Sequence, residues 1–308
     1  MSDLVRSLRG ALGYTRQYRD QVFVVKLGGE VLADATILHG IAEQVALLES
    51  LSIRLVLVHG GGTQASALSR RLGIEPEIVA GRRVTSPAVL EVAKMVYGGS
   101  LSLDILAALR ASGLRAVGLS GVDASLLTAR RRPPVEVRDD AGRLRTVDFG
   151  EVGDIVSVDA AVLRTLLDAR TIPVVGPLAA DASGRVLNVN GDVVAESLAG
   201  ALRAEKLIFL TSAPGLLRDR TDPGSLVSFA EAADLEPLLG SGAVQGGMRP
   251  KVEACLRAVQ QGVRRTHILD GREPDALLLE LFTGSGRGTM IVGRKEMADY
   301  REHEWRTP

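Results

Sequence analysis

One cysteine, four histidines and 3% aromatic residues are all that this 308-residue chain offers of the side chains that build disulfides, metal clusters and stacking platforms. Cys255 alone forms no internal disulfide, which fits a reducing compartment. No His-Glu-x-x-His helix, paired-cysteine metal cluster or G-x-S-x-G elbow occurs, so a zinc hydrolase and a serine hydrolase are set aside and no protein-held metal is expected. The dipeptide Gly-Lys is missing altogether, which removes the G-x-x-x-x-G-K-[ST] phosphate loop and with it a P-loop NTPase. Charge of one sign is missing too: 37 Lys and Arg balance 37 Asp and Glu, and with few aromatic rings a nucleic-acid partner is not expected. No uninterrupted apolar run reaches the roughly 18 residues of a membrane span. The N-terminus, carrying Arg6, Arg9 and Arg16, has no secretory apolar core, so the reading is a cytoplasmic protein with no membrane contact.

What is present is an alternation of short apolar runs and helical patterns. Val22 to Val25, Ile53 to Val58, Ala116 to Leu119, Ile172 to Val175, Lys206 to Leu210 and His267 to Leu269 read as buried strands. Between the first two, Leu38, Ile41, Val45 and Leu48 mark one apolar helix face. Strands apolar on both faces and separated by helices predict a mainly parallel sheet in a three-layer α/β/α sandwich. Residues 126–155 break the rhythm with Arg130, Arg131, Arg132, Pro133 and Pro134, then Asp139 to Gly142, which predicts a β-hairpin excursion. A second turn, Asp181 to Gly184, leads into Val186 to Asn190 and a helix after Asp192. The chain divides into a short N-terminal helix over 1–20, a lobe over 21–180, a second lobe over 181–296 and a polar tail over 297–308. Leu4, Val5, Leu8 and Leu12 line that first helix, as a face either docked on its own domain or offered to another subunit.

Chemistry concentrates at strand ends. Lys26 is followed by Gly28 and Gly29, and the second strand ends in His59-Gly60-Gly61-Gly62. Each glycine loop reads as a tight turn or as an anion cradle of backbone amides, and two at neighbouring strand ends favour the cradle. Lys251 stands in the first turn of a helix begun around Pro250, where the macrodipole disfavours a cation by up to about 1 kcal/mol. Glu253 or solvent could compensate, as could a bound phosphate presented by Gly246, Gly247 and Met248. Asn188, Asn190 and Asp192 share one face if the run is extended. Asp192 is then a helix N-cap, an orienter of Lys26 and Lys251, or both. Arg82 and Arg83, ahead of a capped start at Ser86-Pro87, are a solvated pair or a carboxylate fork, and His59 reads as structural. Two glycine loops, two lysines and an aspartate suggest phosphoryl transfer.

In this order and spacing the motifs resemble the amino acid kinase family over about Val22 to Val292. They are Lys26-Leu27-Gly28-Gly29, His59 to Gly62, Gly81-Arg82-Arg83-Val84-Thr85, Val117 to Gly121, Asn188 to Asp192, Leu210 to Gly215, Gly246 to Lys251 and Thr283 to Thr289. Within that family the resemblance is to members that phosphorylate the side-chain carboxylate of N-acetyl-L-glutamate with ATP and Mg²⁺ in arginine biosynthesis. It implies the amino acid kinase fold, with 21–180 taking the acceptor and 181–296 the nucleotide. Lys26 and Lys251 would stabilise the transferring phosphoryl group and Asp192 would hold both; Gly61, Gly62, Arg83, Asn188 and Asn190 would surround the acceptor. Gly28, Gly29, Thr211, Ser212, Gly247 and Met248 would meet the nucleotide, and Gly28, Gly29, Gly61 and Gly62 would donate backbone amides. The segment Ala11 to Tyr18 resembles the extra helix of arginine-inhibited hexameric members, and Tyr18, His267, Glu280 and Gly286 would form an arginine site. A homodimer, extended to a hexamer through that helix, follows from the same resemblance.

Ser102, Val122, Gly191 and Ser212 depart from the usual asparagine, lysine, alanine and aspartate. These departures keep two alternatives in view: a kinase for glutamate or aminoadipate carried on a small acidic protein, which Arg130 to Arg132 could greet, and a degenerate arginine-sensing homologue.

Overall fold

The computed structural model describes residues 13–79, 82–138, 143–219, 221–240, 244, 246–283 and 286–297. Residues 1–12 with their apolar face, the turn 139–142 and the tail from 298 lie outside the described residues.

Sixteen strands alternate with nine helices of seven or more residues among the described residues. In chain order they begin β1 (Val22–Leu27), α1 (Ala35–Ser50), β2 (Arg54–His59), α2 (Gly62–Arg71), β3 (Ile78–Val79), β4 (Arg82–Arg83), α3 (Pro87–Met95) and α4 (Leu101–Ala111). There follow β5 (Ala116–Ser120), β6 (Leu127–Arg131), β7 (Val135–Arg138), β8 (Leu144–Val147), β9 (Gly153–Val158), α5 (Ala161–Asp168), β10 (Ile172–Gly176), β11 (Leu178–Ala180), β12 (Val186–Asn188) and α6 (Gly191–Leu202). The chain continues through β13 (Lys206–Thr211), β14 (Phe229–Glu231), α7 (Ala232–Gly240), α8 (Met248–Gln260), β15 (Arg265–Asp270), α9 (Ala276–Phe282) and β16 (Thr289–Val292).

Eight strands form one sheet in the order β14-β16-β15-β13-β1-β2-β10-β5, parallel throughout except where β16 meets β15. Side chains alternate across it. Phe23, Val25 and Leu27 enter a core with Leu38, Ile41, Val45 and Leu48 of α1 and Ile105 and Leu109 of α4. Val24, Val56, Val58 and Phe209 enter another with Val194 and Leu198 of α6 and Val252 and Cys255 of α8. Each fully buried side chain of this kind contributes about 1.5–3 kcal/mol relative to exposure. Two cores on opposite faces of one sheet are the expected three-layer sandwich.

The excursion after Leu126 is a hairpin of β7 and β8 carried on β6 and β9, which join β11 and β12 in a second, four-stranded sheet. The short strands β14, at the sheet's edge, and β16, next to it, escaped the sequence reading because three or four residues carry too little pattern. The helical stretch Pro87–Ala111 is by length and composition apolar enough to cross a membrane, although Glu91, Lys94 and Asp104 interrupt it. It is broken at Gly99 (φ −124°, ψ −106°), and Val89, Val92, Val96, Ile105 and Leu109 are buried in the protein, as in a core helix. Helical residues 13–18 end on Tyr18, which is buried against Phe23 and Phe282.

From β1 the chain steps to β2 on one side, and later returns as β13 on the other. The carboxyl ends of β1, β2, β10 and β13 therefore surround a topological switch point, the position where open α/β sheets form a ligand crevice. Lys26, His59, Gly176 and Thr211 stand at those ends.

Candidate active site

Lys26 and Lys251, 225 positions apart in the chain, meet on one carboxylate. Lys26 Nζ lies 2.7 Å from Asp192 Oδ1, as an ion contact, and Lys251 Nζ donates to Asp192 Oδ2 at 3.4 Å. Burial alone would raise the Asp192 pKa, but the two ammonium charges outweigh it and hold the carboxyl below its usual range. Lys26 comes from the central strand, and Gly191 passes so close that a Cβ there would sit 3.7 Å from Lys26 Cε and 3.3 Å from the His59 carbonyl. An alanine would be accommodated by a shift of a few tenths of an ångström, so nothing in the structure explains the Gly191 departure. Lys251 answers the unfavourable helix dipole through Asp192 and through the Gly247 carbonyl at 3.3 Å. Glu253 does not compensate it, being paired with Arg249.

Asp192 is not the helix cap. Asn190 is, its Oδ1 accepting from the Asp192 amide at 2.7 Å, so the extended run ends at Asn188 and the three residues do not share a strand face. The cap leaves the Asp192 carboxylate free to serve the lysines. Asn188 donates to Thr85 Oγ1 at 3.1 Å, and Thr85 is wholly buried.

The two glycine loops face each other. Gly28 is not an available donor, because its amide is committed to the Leu210 carbonyl at 2.8 Å; the Gly60 amide likewise closes on Leu27. A Cβ on Gly29 would stand 3.4 Å from the Gly61 nitrogen, and Gln64 ties the loops together by donating to the Gly29 carbonyl at 2.8 Å. Gly61 has φ +142°, and a Cβ there would lie 2.7 Å from Tyr97 Cε1, so only glycine fits. Helix α2 begins at Gly62 with no side-chain cap, leaving its first amides directed at the crevice. Arg83 is fixed beside it by donating to the Gly62 carbonyl at 2.6 Å and to Ser66 Oγ.

Beyond Lys251 a cavity of about 280 Å³, open to solvent, is lined by Thr211, Ser212, Gly247, Met248 and Lys251. Glu30 is the carboxylate among its lining residues. Sequence reasoning missed Glu30, Gln64 and Arg272, which donates to the Ser212 carbonyl at 2.6 Å. Each acts across long sequence separations, for which periodicity offers no signal. Among the described residues no group of three or more His, Cys, Asp and Glu could hold a metal ion.

At the opposite ends of β13 and β15 lies a second cavity of about 130 Å³, whose lining includes Tyr18, Lys206, His267, Glu280 and Gly286. His267 Nδ1 is 2.7 Å from Glu280 Oε1, and its Nε2 is 3.2 Å from Lys206 Nζ. Burial and the Lys206 charge bring the imidazole pKa down to about 4, despite Glu280. Glu280 also accepts the amides of Arg287 and Gly288. A Cβ on Gly286 would reach within 2.6 Å of the Glu280 carboxylate.

Residues 21–270 match the model of the amino acid kinase family. The acetylglutamate kinase of Myxococcus xanthus (strain DK1622) is 49% identical over 291 residues, which are 94% of this chain and 94% of that protein. The N-acetylglutamate synthase of Neisseria gonorrhoeae complexed with coenzyme A and N-acetyl-glutamate superposes with a TM-score of 0.80 at 32% identity, covering 95% of this chain. In complex with coenzyme A and L-arginine the same synthase gives 0.78 at 29% identity over 94% of this chain. The chain spans 64% and 66% of those two synthase chains.

Proposed function

The chain belongs to the amino acid kinase family, and from that premise we infer that its cleft phosphorylates the side-chain carboxylate of N-acetyl-L-glutamate with ATP, the acyl-phosphate step of arginine biosynthesis. The observation that carries the reading is the bridge from Asp192 to both Lys26 and Lys251 at the switch point. An acceptor carboxylate oxygen attacks the γ-phosphorus as the bond to the β,γ-bridging oxygen breaks, giving the acyl phosphate and ADP. The nucleophile is ionised at neutral pH, so no proton moves and no general base is required. What the protein supplies is position and positive charge. Lys26 and Lys251 steady the charge on the moving phosphoryl oxygens, and Asp192 fixes both without cancelling them, since two cations face one anion.

In this reading residues 21–180 hold the acceptor, with Gly61, Gly62, Arg83, Asn188 and Asn190 around it, and residues 181–296 hold the nucleotide over Thr211, Ser212, Gly247 and Met248, with Gly29 at the phosphates. Mg²⁺ would arrive on the nucleotide phosphates, and Glu30, the carboxylate among the cavity's lining residues, would be the protein group to meet it. Its charge offsets part of the phosphate negative charge when bound.

The second cavity is assigned to L-arginine as an inhibitor, with the paired Glu280 carboxylate, His267 and Tyr18 around it. Support comes from the way the described end of the N-terminal helix contributes Tyr18 to that wall. A homodimer is supported by the edge strand β5, beside which Leu103 is 64% and Val117 37% exposed. Further assembly through the N-terminal helix and a cytoplasmic setting complete the reading.

Hydroxamate trapping with ATP across acetylglutamate, glutamate, aspartate and aminoadipate tests the acceptor. Product from acetylglutamate, lost in Lys251→Ala, is expected; product from another acceptor alone overturns the assignment. Arginine should slow wild type and leave Glu280→Gln unaffected, and an unchanged wild-type rate at saturating arginine removes the effector site.

A further inference from the structure

His59 is wholly buried beside the cleft, and the mechanism above gives it no part. Its Nδ1 lies 2.7 Å from the carbonyl oxygen of Gly60. A carbonyl only accepts, so Nδ1 carries the proton and Nε2 is left as a bare lone pair. Nε2 is buried with no hydrogen-bond partner among the described residues, so a second proton there would be unmatched. Burial, joined by the Lys26 charge, opposes that proton as well and brings the pKa to about 4 despite the Gly60 hydrogen bond. The ring is held in one pose: a Cβ on Gly176 would stand 3.0 Å from Nε2, and the Tyr97 ring meets it edge-on at 6.5 Å.

The consequence runs through one peptide. No peptide bond among the described residues is cis, so the Gly60 C=O and the Gly61 N–H point in opposite directions from the same plane. A carbonyl drawn inward to His59 turns the next amide away from the ring, on the side of the peptide where the Gly29 loop lies: a Cβ built on Gly29 would stand 3.4 Å from the Gly61 nitrogen. Glycine at 61 has a backbone free to rotate through many orientations, and its φ of +142° is one that needs holding. We propose that His59 is a positioning residue: its Nδ1–H grips the Gly60 carbonyl and thereby aims the Gly61 amide at the phosphoryl group in transfer. The inference rests on the phosphoryl-transfer reading of the cleft.

Asparagine places Nδ2 as many bonds from Cα as histidine places Nδ1, so His59→Asn keeps the grip, whereas His59→Leu fills the space and loses it. Loss of an aimed amide predicts that kcat in His59→Leu falls about 10²-fold with smaller changes in either KM, and that His59→Asn recovers to within about tenfold of wild type. Equal losses in two folded variants would overturn the proposal. The wild-type protein labelled with ¹⁵N-histidine supplies a test independent of both variants and of turnover. His59, identified by its disappearance in His59→Asn, should show a protonated-type Nδ1 and a pyridine-type Nε2, unchanged from about pH 5.5 to about pH 8. A proton on Nε2 instead defeats the proposal even if acetylglutamate is phosphorylated. An active-tautomer result with no acetylglutamate turnover places the error in the reaction assigned to the cleft.

Discussion

Asp192→Asn keeps the shape of the central side chain and removes its charge. The Lys26, Lys251 and Asp192 side chains are only 8%, 15% and 7% exposed, so the change leaves two ammonium groups close together with no anion between them. Breaking a buried pair in this way costs about 3–5 kcal/mol, moderated when one lysine sheds its proton. At roughly 2 °C per kcal/mol for a chain of this size, the thermal midpoint should drop by ~6–10 °C. The kinetic loss is separate: both lysines lose their common anchor, and a displacement of about 1 Å is enough for a 10²-fold fall in kcat. Adding Lys26→Met to Asp192→Asn should restore part of the midpoint, because the stranded charge is gone, while turnover stays lost. The pH dependence adds a sign. The folded-state Asp192 pKa lies below its ordinary 3.8, so its contribution is complete above that value and disappears as pH falls through the depressed one. Denaturant unfolding of wild type should show this acid limb, and in Asp192→Asn the part of it below about pH 4 should be shallower. An Asp192→Asn protein with wild-type midpoint and kcat would refute the reasoning.

Lys251→Ala should lower kcat by about 10²–10³ in a coupled ADP-release assay, as for loss of a group that stabilises transition-state charge. Its midpoint should fall less than that of Asp192→Asn, since removing a cation from the first helical turn returns up to about 1 kcal/mol. Gly61→Ala meets both a positive φ and Tyr97 at 2.7 Å, and should destabilise by about 1–3 kcal/mol with loss of activity; a fully active, equally stable variant would show that the loop has room. His59 and His267 are both held neutral, with pKa values lowered from 6.5 to about 4. The unfolded chain therefore binds more protons across that interval, and stability should be full above pH 6.5 and decline toward pH 4. His267→Gln should flatten part of that decline in a thermal scan series.

The strands were legible because both faces of the sheet are buried: Val22 to Val25 and Ile53 to Val58 read as unbroken apolar runs. The glycine loops and both lysines stood out for a related reason, since charge and glycine directly after such runs have few other uses. What failed was local geometry. For Asp192 a cap and an orienter of the lysines stayed open together because both tasks use the same residue type, and only the fold shows Asn190 taking the cap. Gly28 was counted as a donor because its amide looks free until β13 arrives beside β1.

The amino-acid order by itself determined the layers, the strand ends and the set of residue types gathered there, because burial periodicity and backbone permissiveness are written in neighbouring positions. Only the tertiary structure decided which of those groups share a site. Lys26, Asp192 and Lys251 meet because parallel pairing of β1 with β13 brings α6 and α8 over one strand end. That the Gly28 amide is withdrawn from the crevice is likewise set by a bond to Leu210, far along the chain, and such a bond leaves no mark on local pattern.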